Sequence, residues 1–179
     1  MRKGKDNDFR MVIKMTNEDL KKAVIGLLQK NARIGESEIA DRLRSDPETV
    51  ARLIREMEGD GTIIGYHALV NDELAGNGEV RALIEVQVLP ERDGGFDRVA
   101  RAIGRFREVC SVYLVSGQYD LRVEVTGETL QQVALFVASR LAPIDGVQAT
   151  ATHFMLKKYK ESGFSVEKDE DYERLKVSP

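Results

Sequence analysis

The spacing of apolar residues changes once along this chain, and the change splits it in two. Up to Gly59 the apolar residues recur every three or four positions. From Val80 to Tyr159, stretches of period two alternate with stretches of period 3.6. The first part holds three amphipathic helices. In NEDLKKAVIGLLQKN, Leu20, Ala23, Val24, Leu27 and Leu28 share one face, with Thr16 or Asn17 as N-cap. GESEIADRLR is a shorter helix with Ile39, Ala40 and Leu43 on one side. After a break at residues 44–47, the third helix starts at Pro47 with Asp46 as its cap and turns Val50, Leu53, Ile54 and Met57 inward. Gly59 or Gly61 ends it, and Thr62–Ile64 reads as a short extended piece. The second part runs strand Val80–Leu89, helix from Phe96, strand Val109–Val115, strand Asp120–Thr126, helix Thr129–Leu141 and a last strand from Val147. This β-α-β-β-α-β order is the ferredoxin-like plan, an antiparallel sheet with helices on one face.

The expected fold class is therefore α+β, a helix-turn-helix followed by a ferredoxin-like βαββαβ domain. The expected divisions are residues 11–65, a connector at 66–78, the sheet domain at 79–160 and a charged, loosely ordered tail at 161–179. The uncovered sheet face is expected to be apolar and to pair with a second copy.

Composition narrows the function classes. No apolar run approaches the roughly 20 residues of a membrane span, and MRKGKDNDFR lacks the apolar stretch of a signal peptide. The single cysteine, Cys110, sits in an apolar run and reads as a small buried hydrophobe in an intracellular, cytoplasmic protein. His67 and His153 lack neighbours at ligand spacing, so neither a metal nor another cofactor is expected. The net charge of −3 argues against a nonspecific nucleic-acid coat. Charge is uneven, however. Residues 1–70 carry 13 basic against 12 acidic groups, net +1, and the remainder 14 against 18, net −4. DNA contact, if any, belongs to the first third.

In a helix-turn-helix the second helix of the pair enters the major groove with its N-terminal half. Here that helix leaves Glu48, Thr49, Ala51, Arg52 and Arg55 outward. An arginine there forks onto a guanine edge or braces a phosphate. Ser37, Arg42 and Arg44, with Arg33 nearby, are candidate backbone contacts. Glu48 and Glu56 count against the assignment, since phosphates repel carboxylates unless these read a cytosine amino group. From the residues alone, a three-helix interaction module stays open beside a DNA reader.

One further stretch is odd. Ser116-Gly117-Gln118-Tyr119-Asp120 puts a tyrosine and a carboxylate between two strands, where a hairpin needs only Gly or Asn.

Asn31-Ala32-Arg33, Ile39-Ala40, Arg52, Arg55, Met57-Glu58, Gly61, Ile63 or Ile64 and Gly65-Tyr66, followed by Ser116-Gly117-Gln118-Tyr119-Asp120, stand in an order and spacing that resembles the Lrp/AsnC (feast/famine) regulators over about residues 16–160. The resemblance implies a transcription regulator whose N-terminal winged helix-turn-helix binds double-stranded operator DNA, followed by the ferredoxin-like βαββαβ effector and oligomerisation domain. It implies a homodimer assembling further, up to octamers, and a small effector, commonly an amino acid, held at a subunit interface by the Ser116–Asp120 turn. In that setting Gly117 lets backbone N–H groups approach an α-carboxylate. Asp120 offers a counter-charge to an α-ammonium, and Tyr119 a wall with a polar tip. Thr150 and Thr152 are candidate partners from a neighbouring subunit. Asp46-Pro47-Glu48 departs from the serine-rich start usual in that family, so base preferences do not carry over.

Two rivals remain. One is an enzyme like the sirohaem decarboxylases. These share the architecture but carry a histidine- and tyrosine-rich stretch where this chain has CSVYLVSGQYDLRVEV, and no catalytic triad or phosphate loop is visible, so the expectation is no enzyme. The other is an effector-binding partner protein that no longer binds DNA.

Overall fold

The computed structural model describes residues 16–76, 78–89 and 95–166. The N-terminal extension through Met15, residues 77 and 90–94 and the tail beyond Val166 lie outside the described residues. The chain divides between Ala68 and Leu69 into two compact units, each with its own core.

The first unit is three helices: α1 (Asn17–Leu28), α2 (Glu36–Leu43) and α3 (Pro47–Gly59). Thr16 caps α1, accepting the Asp19 N–H at 3.2 Å. Asp46 caps α3, its Oδ1 accepting the Thr49 N–H at 2.8 Å, and Pro47 occupies the first turn where a missing N–H costs nothing. Val24, Ile39, Val50, Leu53 and Met57 are fully buried, each contributing about 1.5–3 kcal/mol. Ile54, expected inward, is only half-buried at the edge of this core. Gly61, at φ +79°, takes the left-handed position after α3. The Ile63 N–H then bonds back to the Met57 carbonyl at 2.8 Å. That bond consumes the backbone that the extended reading of Thr62–Ile64 needs. No strand forms there, and Ile64 stands 97% exposed.

Hydrogen bonding by Thr49, side chain first and backbone N–H second, holds the Asp46 carboxyl below the usual aspartate range. A folded pKa below the unfolded value means that ionised Asp46 favours the folded unit above about pH 4, and that this support fades as pH falls through the folded value. Between pH 6 and 3 the wild type is therefore expected to lose more melting temperature than Asp46→Asn, whose amide caps without titrating. Circular-dichroism melts of both proteins at each pH test this, and equal losses would count against it.

The second unit begins with a short helix, α4 (Asp72–Ala75). Then follow β1 (Val80–Val88), α5 (Gly95–Ile103), β2 (Val109–Leu114), β3 (Leu121–Gly127), α6 (Leu130–Phe136) and β4 (Val147–Phe154). The sheet is antiparallel with order β2-β3-β1-β4, the ferredoxin-like arrangement. Alternation sends Ala82, Ile84, Val86 and Val88 of β1 and Leu121, Val123 and Val125 of β3 to one face, against Val99, Ile103, Val133, Phe136 and Leu141 of the helices. The last helix widens into a π-turn over Val137–Leu141, where the Ala142 N–H reaches the Val137 carbonyl at 2.8 Å. There Ser139 Oγ donates to the Leu135 carbonyl, and both Val137 and Leu141 still reach the core.

Three expectations need correcting. The uncovered sheet face is not apolar. Register puts Glu85 opposite Arg122 and Leu83 opposite Glu124 there, with Arg122 3.0 Å from Glu124 and His153 Nε2 3.6 Å from Glu85. Cys110 is exposed rather than buried, because the register shift between Val109 and Ser111 makes it the extra residue of a bulge on an edge strand. The start of the tail is ordered. Lys160–Glu161 (β5) and Phe164–Ser165 (β6) form a hairpin whose two turn residues, Ser162 and Gly163, both have positive φ. Lys158 ties this hairpin to α4, its Nζ lying 2.9 Å from Asp72 and 2.6 Å from Glu161, and Arg81 lies 3.7 Å from both acids.

Candidate nucleic-acid interface and effector turn

The turn between α2 and α3 is tight. Arg44 closes α2 in the left-handed conformation at φ 53°, and the Ser45 N–H bonds to the Ala40 carbonyl at 3.0 Å. A residue with a Cβ pays about 1 kcal/mol or more there relative to glycine. Arg44→Gly is thus expected to raise the melting temperature while weakening DNA binding through the lost cation. Thermal melts and a DNA titration on one preparation check both signs, and a lower melting temperature would refute the strain assignment.

That turn aims the first half of α3 outward. Glu48, Arg52 and Arg55 are exposed and Thr49 is half-buried, and together with Asp46 and Ala51 they line one shallow depression. Arg33 follows α1, its N–H bonded to Asn31 Oδ1 at 3.0 Å, and Ser37 lies in the first turn of α2; both are exposed. Two of the candidate arginines are already paired. Arg42 lies 2.6 Å from Glu38, and Arg52 lies 2.6 Å from Glu56. Glu56 also receives Lys21 of α1 at 3.5 Å. Hydrogen bonding from Arg52 first, and Lys21 after it, holds the Glu56 carboxyl below its ordinary value. Arg33, Arg44 and Arg55 have no carboxylate within 4 Å among the described residues. Residue-by-residue reading took Glu56 only as a repulsive charge and passed over Glu38. The i,i+4 spacing of Glu38/Arg42 and Arg52/Glu56 was the available signal; nothing in the sequence pointed to Lys21.

In the sheet domain the Ser116–Asp120 turn is clasped to the end of β1. The Asp120 N–H donates to the Val86 carbonyl at 3.0 Å, and Asp120 Oδ2 accepts the Val88 N–H at 2.8 Å. Gln87 Nε2 donates to the Gln118 carbonyl at 3.0 Å. The carboxylate expected to stand free for a ligand is thus half engaged in holding β1. Its other oxygen accepts no bond among the described residues. Ser116, Gly117 and Gln118 are exposed and Tyr119 is half-buried, and Gly117 has φ 151° with open space where a Cβ would stand. Thr150 and Thr152 pair with Val86 and Ile84, so they lie on the helix-covered side of edge strand β4, half-buried. β1 separates them from the turn by two strand spacings, about 10 Å. One chain therefore does not bring the turn and the two threonines together. Among the described residues no group of three His, Cys, Asp or Glu is placed to hold a metal ion, and no helix is long and apolar enough to cross a membrane.

A three-helix head presenting arginines beside a tight turn, followed by a ferredoxin-like domain with a clasped turn, defines a two-module helix-turn-helix protein. Residues 18–64 match the family model for a winged helix-turn-helix DNA-binding domain, and residues 81–163 match that for the Lrp/AsnC ligand binding domain. The uncharacterised HTH-type transcriptional regulator YugG of Bacillus subtilis is 39% identical over 93% of this chain and 100% of its own length. The leucine-responsive regulatory protein of Haemophilus influenzae is 23% identical over 79% of this chain and 87% of its own. Among solved structures, a Neisseria meningitidis transcriptional regulator in complex with L-Met superposes with a TM-score of 0.61 at 25% identity, covering 79% of this chain and 91% of that one. The chain belongs to the Lrp/AsnC family of helix-turn-helix transcriptional regulators.

Proposed function

We propose that the protein reads operator DNA with the outward face of α3 and answers to an amino acid held by the Ser116–Asp120 turn. The observation that carries the first half is the exposed row of Arg52 and Arg55 on a helix started by Pro47 behind a tight turn. In this reading Thr49, Arg52 and Arg55 meet base edges or the flanking phosphates, Glu48 accepts from a cytosine amino group, and Arg33, Ser37, Arg42 and Arg44 brace the backbone. Homodimers place two heads on one duplex and join into larger assemblies, up to octamers, in the cytoplasm, and the chain performs no catalysis.

For the second half, the L-Met bound by the Neisseria relative and the match to a ligand-binding domain support an amino-acid effector. The remaining oxygen of Asp120 meets the ammonium, and Thr150 and Thr152 come from another subunit, because β1 separates them within one chain. The relatives named above are described as transcriptional regulators or a regulatory protein and lend the decarboxylase alternative no support.

Selection from a random duplex pool with the full chain tests DNA reading. The expected product is an imperfect palindrome with half-sites about one helical turn apart, and a pool without consensus would overturn the proposal. Light scattering and thermal shift with each of the twenty amino acids test the effector. A change of mass or melting temperature with one of them, lost in Asp120→Ala, is expected. Indifference to all twenty would reduce the turn to a structural clasp.

A further inference from the structure

Two arginines of the DNA-reading face, Arg42 on α2 and Arg52 on α3, carry their own counter-ions, and Arg55, the other arginine on α3, does not. Glu56 lies one turn after Arg52 on α3, at 2.6 Å, and reaches across to Lys21 of α1 at 3.5 Å. Glu38 lies one turn before Arg42 on α2, at 2.6 Å. Arg55 stands exposed without a carboxylate among the described residues. The partners are about half-exposed, Arg52 at 48% and Glu56 at 41%, so water screens the pairs and they exchange readily. An i,i+4 pair of this kind shifts an equilibrium only about twofold, which is weak enough to yield to a well-placed phosphate or guanine.

We infer that Glu56 and Glu38 are specificity-determining residues, internal competitors that keep Arg52, Lys21 and Arg42 from phosphates at random sequence and release them where the fit is good. The inference rests on the DNA-reading proposal above. Nonspecific affinity comes from cations that neutralise phosphates and expel counter-ions. A cation already neutralised by a carboxylate on its own helix expels none unless the pair opens. Opening is repaid at an operator, where Arg52 gains directed bonds to a base edge, and is not repaid at random sequence. The head thereby keeps a cationic reading face at a local charge near zero, in a chain of net charge −3.

The test titrates full-length protein onto a duplex of unrelated sequence and onto a selected operator, across a salt series, with wild type, Glu56→Gln, Arg52→Gln, the double variant, and Asp41→Asn as a control. The control removes an exposed acid of α2 that pairs with no arginine among the described residues and has no part in the proposed DNA contacts. Glu56→Gln is expected to tighten unrelated-duplex binding about two- to eightfold at 0.1 M salt, from the pair at the lower end to a full added phosphate contact at the upper. Its salt slope should steepen by about 0.9 for each cation freed. Operator affinity should rise less, so discrimination falls. The gain should vanish in the double variant relative to Arg52→Gln. A gain equal to that of Asp41→Asn, or one that survives loss of Arg52, would reduce Glu56 to ordinary surface charge and overturn the inference. A wild type that binds no duplex at all would instead remove the DNA-reading proposal beneath it. Circular-dichroism melts of each variant separate either result from an unfolded head.

Discussion

Leu53→Ala should destabilise the helical head by about 2–5 kcal/mol while the sheet domain keeps its protection. Leu53 is fully buried, and its truncation removes contacts and leaves a cavity in a unit of only three helices. A unit this small buries a lower fraction of its surface and has little stability to lose. Each unit has its own core, so the sheet domain is expected to hold its own protection. Hydrogen exchange read by mass spectrometry on segments decides it. Residues 17–59 should exchange far faster in the variant, and β1 and β3 should be unchanged. Loss of protection in both units would mean that the chain unfolds as one cooperative body.

Arg55→Ala should weaken operator binding by about 1–3 kcal/mol, roughly five- to 150-fold, and relax base preference at one position of each half-site. Arg55 is the arginine on α3 with no carboxylate to leave, so its full contact free energy is lost on truncation. Arg33→Ala should behave differently. Arg33 sits off α3, where a phosphate is the expected partner, so its loss should weaken all sequences alike and reduce the salt slope by about 0.9. Binding isotherms on the operator, on single-base variants of it and across a salt series separate the two signatures. An Arg55→Ala protein with uniform weakening would move base reading to another residue of the face.

The elements themselves were legible in sequence, because each is specified by neighbours a few residues apart. Asp46 caps α3 as its chemistry required, Thr16 is the cap of the two offered for α1, and Gly61 rather than Gly59 takes the left-handed stop. The apolar faces of α1 to α3 turn inward, except that Ile54 stays at the edge. β1 and β3 alternate as written, and the order of elements leads to the sheet order β2-β3-β1-β4. The outward position of Arg52 and Arg55 followed from the same arithmetic.

What the sequence did not disclose depends on partners distant along the chain. Asp120 reads as a spare carboxylate until β1 arrives beside it with the Val88 N–H, 32 residues away. Glu56 reads as a repulsive charge until α1 brings Lys21 next to it. Thr150 and Thr152 share a strand face, but only strand pairing reveals that this face is turned to the helices. Cys110 reads as core until a register shift turns it outward, and the tail reads as loose until Lys158 and Arg81 anchor its hairpin to α4. Local propensity and periodicity are summed over one helix turn or two strand residues, so they determined the elements and their order. The class of protein came from the resemblance of the motifs to a known family. Ion pairs and hydrogen bonds act at about 3 Å between groups of any sequence separation, so only the tertiary structure decided which charges are free to meet DNA or a ligand and which are already spent on the fold.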